Sequence, residues 1–181
     1  MFRAVSLVPL GNVRQDVIDA VAGGIYEHLE LEVYFEPPAP LPEKFFDPMR
    51  GQFKADDLIT YFQQNVETRA RLKLGITAVD LYAWDLNFVF GISILKQGTS
   101  IVSYRRLDNT FYHLPPNDRL LYERVTKEAL HELGHAIGLD HCEAPCVMHY
   151  SNSVLEVDAK PVKFCPNCWR RLNLLLGRQG A

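Results

Sequence analysis

Apolar side chains at Val13, Val17, Ile18, Val21, Ala22 and Ile25 recur at spacings of three and four, which predicts a helix over residues 13–28 with Asn12 as its cap. Residues 2–9 before it and Leu31–Phe35 after it carry dense bulky apolar positions and predict strands. Five prolines at 37, 38, 40, 42 and 48 then predict a loop over 36–48, because proline removes amide donors and breaks helices. A helix is predicted near 55–66 and a strand from Arg71 to Val79. Phe88–Leu95 and Ile101–Tyr104 flank the turn sequence Lys96-Gln97-Gly98-Thr99-Ser100 and predict a hairpin. Leu121, Val125, Ala129, Leu133 and Ile137 follow at intervals of four. They predict a long helix capped by Asn117 and stopped by Gly138, with Arg124, Glu128, His131, Glu132 and His135 on its polar side. A short closing helix is expected from Cys165 onward.

With 181 residues the chain can bury a core without staples. Its 48% hydrophobic and 23% charged residues fit a globular protein. The net charge of -3, with Arg105-Arg106 and Arg170-Arg171 the only arginine pairs, argues against a nucleic-acid partner. The N-terminal apolar run, broken at Pro9, lacks the features of a secretory signal, and no window matches a membrane helix. A cytoplasmic monomer is expected, in a setting where four cysteines serve better as metal ligands than as disulfides.

The segment His131-Glu132-Leu133-Gly134-His135-Ala136-Ile137-Gly138-Leu139-Asp140-His141 holds the candidate chemistry. Residues four apart share a helix face, so His131 and His135 can present two imidazoles to one zinc ion. Gly138 can take positive φ and turn the chain so that His141 supplies a third. Three protein ligands leave the fourth position for water, and Glu132, beside the metal, is placed to be the general base. Cys142 and Cys146 form a C-x3-C pair, Cys165 and Cys168 a C-x2-C pair, and 18 residues separate them. Four thiolates close a tetrahedron, so this pattern predicts a structural zinc and hence two ions per chain.

HELGHAIGLDH resembles the extended metzincin signature. The His141-Cys142 step, the two cysteine pairs and Asn87-Phe88-Val89-Phe90-Gly91 are similar to the archaemetzincin family, over about residues 2–176. The resemblance implies a zinc peptidase with Met148 in a Met-turn under the metal and with Tyr150 near the metal or oxyanion. It also implies an edge strand, here the 88–104 hairpin, that binds peptide backbone. The expected fold is α/β: a twisted mixed sheet with two main helices over residues 1–138, and a small C-terminal subdomain, 139–181, with the Met-turn and the four-cysteine site. Short peptides are the expected substrates; aminopeptidase-like trimming fits a restricted cleft, while no residue marks an anchor for an α-amine, so endopeptidase and aminopeptidase action both stay open. A zinc-binding scaffold without useful turnover is the alternative.

Overall fold

The computed structural model describes residues 2–178. In chain order the elements are β1 (Ala4–Leu10), α1 (Gln15–Leu29), β2 (Glu32–Phe35), β3 (Phe46–Asp47), β4 (Gln52–Lys54), α2 (Ala55–Asn65) and β5 (Leu72–Thr77). They continue with β6 (Leu81–Ala83), β7 (Leu86–Val89), β8 (Gly91–Ile94), β9 (Thr99–Ser103), α3 (Asp118–Ile137), α4 (Val154–Ala159) and α5 (Pro166–Leu175).

The main sheet has the order β2-β1-β5-β9-β8, parallel except for β8, which runs antiparallel at one edge. From β1 the chain crosses to β2 on one side, then returns past β1 to β5 on the other. Right-handed crossovers moving in opposite directions put their helices on opposite faces. Alternation along β1 shows the result. Val5 and Leu7 pack in the cluster holding α1 and α3, whereas Val8 and Leu10 pack with α2. Both faces are therefore covered, and β5 is buried at every position, as expected for a parallel strand between two helical layers.

Three helices thus pack on the sheet, not two, because α2 forms a second layer. A further correction concerns the predicted hairpin. It pairs Gly91–Ile94 with Thr99–Ser103 only. Phe88 and Val89 belong to β7, at the edge of a separate four-stranded sheet, β3-β4-β6-β7. The proline-rich stretch is not wholly loop, since it contributes a 3-10 turn at Glu43–Phe45 and the two-residue strand β3. Helix α1 starts after Arg14, not Asn12, and no side chain caps it.

Helix α3 starts where the pattern places it, with the Asn117 side chain accepting the Leu120 amide at 3.1 Å. Its polar side, however, is not solvent-facing. Arg124, Lys127, Glu128, His131 and Glu132 are all buried. The cover is α4 and the segment before α3. Arg124 makes two 2.7 Å bonds to the Asp158 carboxylate and also donates to the Leu107 carbonyl. Lys127 donates to the Val157 and Asp158 carbonyls, and Lys160 pairs with Glu128 at 2.7 Å. Each of these buried charges has an opposite charge or a carbonyl beside it, as burial demands. The core runs past Gly138 without a break: Val147, Met148, Val157 and Leu172 share one cluster with Val5 and Val125. No helix among the described residues is long and apolar enough to cross a membrane.

Candidate active site

Helix α3 stops because Gly138 adopts φ 131°, in the region that favours glycine. The terminal carbonyls it leaves are met by the β8–β9 turn, where Lys96 N–H donates to His135 and Gly98 N–H to Ala136. This ties the end of α3 that carries His135 to the turn beside the antiparallel edge strand. The chain then doubles back and brings His141 to the two helical histidines.

One ring nitrogen from each of His131, His135 and His141 lies within 4.8 Å of the others. The Nε2 atoms of His131 and His135 are 3.1 Å apart, close to the ~3.3 Å edge of a tetrahedron with ~2.0–2.1 Å zinc–nitrogen bonds. Their Nδ1 atoms face backbone carbonyls, His131 that of Val147 at 2.9 Å and His135 that of Leu139 at 2.8 Å. Donation from Nδ1 leaves each Nε2 lone pair free and fixes the ring plane. Burial lowers the pKa of all three rings, that of His131 most strongly. The rings are therefore neutral, as metal ligation requires. His131 is buried, His135 half-buried and His141 exposed, so the cluster opens to solvent on one side.

Glu132 is buried beside this cluster. Burial pushes its pKa up to about 8, against the hydrogen bond from Ser93, which pulls it down. Ser93, on β8, touches both the Glu132 carboxylate and, at 2.8 Å, the Glu132 backbone carbonyl. Sequence pattern carries no sign of Ser93, because its partner lies in another element.

Met148 is fully buried in a turn closed by the His149 N–H to Cys146 carbonyl bond, 3.0 Å. Its sulfur rests on Gly134, where an added Cβ would come within 2.4 Å of Sδ and 3.0 Å of Cε. Gly134, in the middle of the motif, thus makes room for Met148, a role that spacing alone does not reveal. Gly134→Ala is expected to cost about 1–3 kcal/mol, as overpacking in cores does, and to weaken zinc retention. Chemical denaturation of the zinc-loaded protein checks this, and an unchanged midpoint would refute it. Tyr150 stacks edge-on with His141, ring centroids 5.1 Å apart. Both line a cleft of about 430 Å³ with β7, β8, Glu128, His131, Glu132 and Ser151.

The four cysteines also meet, with their sulfurs all within 4.8 Å of one another. Cys142 and Cys165 are 3.7 Å apart, matching the ~3.8 Å edge of a tetrahedron with ~2.3 Å zinc–sulfur bonds. Cys165 caps α5 and accepts the Cys168 amide, which lowers its pKa and favours the thiolate. The donors in both clusters thus suit zinc by type, number and spacing.

Two histidines one turn apart, a third on the returning chain and a carboxylate at the helix–edge-strand junction are the donor arrangement of a zinc metalloprotease of the metzincin class. Comparison with known proteins narrows this. The model of peptidase family M54 matches residues 41–174. The archaemetzincin of Pyrococcus furiosus is 37% identical over 95% of this chain and 93% of its own length. The crystal structure of the Methanopyrus kandleri archaemetzincin superposes with a TM-score of 0.85 at 36% identity, covering 97% of each chain. That of a zinc-dependent peptidase from Methanocorpusculum labreanum superposes with a TM-score of 0.83 at 30% identity, covering 94% of this chain and all of that one. The chain belongs to peptidase family M54, the archaemetzincins.

Proposed function

We propose that this zinc-dependent peptidase cuts short peptides in the cleft beside His131, His135 and His141, with Glu132 as general base. The observation that carries the reading is the convergence of three neutral imidazoles within 4.8 Å, next to a buried carboxylate at the wall of the same cleft. Zinc held by the three imidazoles supplies Lewis acidity and lowers the pKa of water to about 7. Glu132 takes a proton on its carboxylate and hands it to the leaving amine. Glu132 is buried beside the imidazoles with its carboxylate held by Ser93, which positions it for both transfers. Edge strand β8, paired on one side only among the described residues, adds the substrate backbone as a further strand. The Tyr150 hydroxyl, at the cleft beside His141, supports the developing oxyanion. Met148 and the turn around it form the floor of the site, in the manner of a Met-turn. The four thiolates hold a second zinc that braces this floor. Residues 1–138 and 139–181 form the two walls of the cleft over a shared core.

Metal content tests the scheme. Wild type is expected to carry two zinc ions per chain, and His135→Ala and Cys165→Ser one each. Hydrolysis of short peptides is expected to vanish in His135→Ala and in chelated wild type, and to return when zinc is restored. Wild type that holds two ions yet cleaves no peptide would overturn the peptidase reading in favour of a scaffold.

A further inference from the structure

Lys160, which ends α4, is buried. Its Nζ lies 2.7 Å from Oε1 of Glu128, itself buried, and donates to the His149 carbonyl at 3.2 Å. One ammonium therefore joins three parts of the molecule: α3 through Glu128, the end of α4, and the stretch after the Met148 turn through His149.

Stability alone is a poor reason for such a pair. Taking two charges out of water costs about as much as their attraction returns, and apolar side chains of the same volume often do as well or better. The value of the pair then lies in what it keeps in place. The carbonyl that Lys160 binds belongs to the peptide group between His149 and Tyr150. A peptide group is planar, so fixing that carbonyl fixes the plane from which the Tyr150 side chain departs. The Tyr150 ring stands 5.1 Å from that of His141, centroid to centroid, and lines the cleft. Tyr150 is 43% exposed, so packing restrains it only in part. The Met148 turn secures His149, whose N–H donates to the Cys146 carbonyl and whose Nδ1 faces the Cys142 carbonyl at 3.0 Å. Lys160 carries that restraint one peptide further, to Tyr150.

We propose that Lys160, held by Glu128, is a positioning residue that fixes the Tyr150 ring beside His141. It does not line the cleft and acts through Tyr150. Its effect on turnover rests on the peptidase reading, in which the Tyr150 hydroxyl supports the oxyanion.

Glu128→Leu with Lys160→Met removes both buried charges together, so that neither is left unpaired. In this zinc-loaded double variant kcat for peptide hydrolysis is expected to fall about 10- to 100-fold, as a misplacement of about 1 Å does. KM should stay within about threefold of wild type, because the lost contact is made in the transition state. Zinc content and Tm should match or exceed wild type. In a Tyr150→Phe background the same two substitutions are expected to change kcat by less than about twofold, since residues acting as a unit are not additive. With fluorotyrosine incorporated, the fluorine resonance that vanishes in Tyr150→Phe is expected to move in the double variant. Glu128→Gln with Lys160→Gln is a second neutral pair, its side chain at 160 one bond too short for the His149 carbonyl, and should behave alike. An unmoved resonance, or an equal fall in kcat with and without the Tyr150 hydroxyl, would overturn the inference. So would kcat within about twofold of wild type while Tyr150→Phe is impaired, or loss of folding or zinc in both neutral pairs. Wild type that cuts no peptide, or Tyr150→Phe with unimpaired kcat, would sink the catalytic reading instead, and the resonance would still decide the positioning role.

Discussion

Glu132→Ala is expected to lower kcat/KM for peptide hydrolysis about 100- to 10,000-fold, the usual contribution of a positioned general base. Zinc content should stay at the wild-type value, because the carboxylate is not among the groups that converge as candidate ligands. The loss should fall on kcat with little change in KM, since a group that moves a proton contributes in the transition state more than in substrate binding. Glu132→Asp should lose activity too, because shortening the side chain withdraws the carboxylate from the position that Ser93 helps to fix, and a misplacement of about 1 Å can cost about 100-fold. Steady-state kinetics alongside metal analysis decides the matter. Activity within about threefold of wild type would remove Glu132 from the mechanism, and loss of zinc along with activity would make its role structural.

The parts of this site that lie close together in the chain are legible from residue spacing. Spacing places His131 and His135 on one face, puts the stop at Gly138, and groups the four cysteines. Each of those readings rests on local geometry: the helical period, one backbone conformation, and the short reach between thiols. Helix α3 is legible to within a residue because a cap, a sustained period and a terminal glycine agree. The start of α1 is not, because Asn12 has the chemistry of a cap but makes no capping bond there.

What sequence does not yield depends on partners far apart in the chain. Ser93 meets Glu132 across 39 residues, and the Lys160–Glu128 pair spans a similar interval. The charges of Arg124, Lys127 and Glu128 suggest that the polar side of α3 faces solvent. Their partners, Asp158, the Val157 carbonyl and Lys160, all sit on or beside α4 and cover that side. The second sheet leaves no pattern because its strands are two to four residues long, too short for alternation to register.

Cys146→Ser should damage the imidazole site without touching any of its ligands. The Cys146 sulfur is buried and accepts the amides of Met148 and Cys165 at 3.5 and 3.2 Å. Its own carbonyl closes the turn by accepting His149 N–H. From that turn the Val147 carbonyl orients the His131 ring, and the Met148 carbonyl accepts the amide of Cys142, the neighbour of His141. The Cys146 sulfur is therefore linked through a single turn to two of the three imidazoles. Serine offers a harder, weaker ligand, so the thiolate-held zinc should be lost. Loss of a structural metal is among the few single changes that cost on the order of 4 kcal/mol, or about 8–16 °C in Tm at ~2–4 °C per kcal/mol for a chain of this size. Zinc affinity of the imidazole site should fall about 10- to 100-fold, as it does when groups that orient metal-binding histidines are disturbed. Chelator competition well below the lowered Tm separates this from general unfolding. A variant with unchanged Tm and unchanged affinity at the imidazoles would show that the two clusters are mechanically independent, and the bracing role given to the cysteines would be wrong.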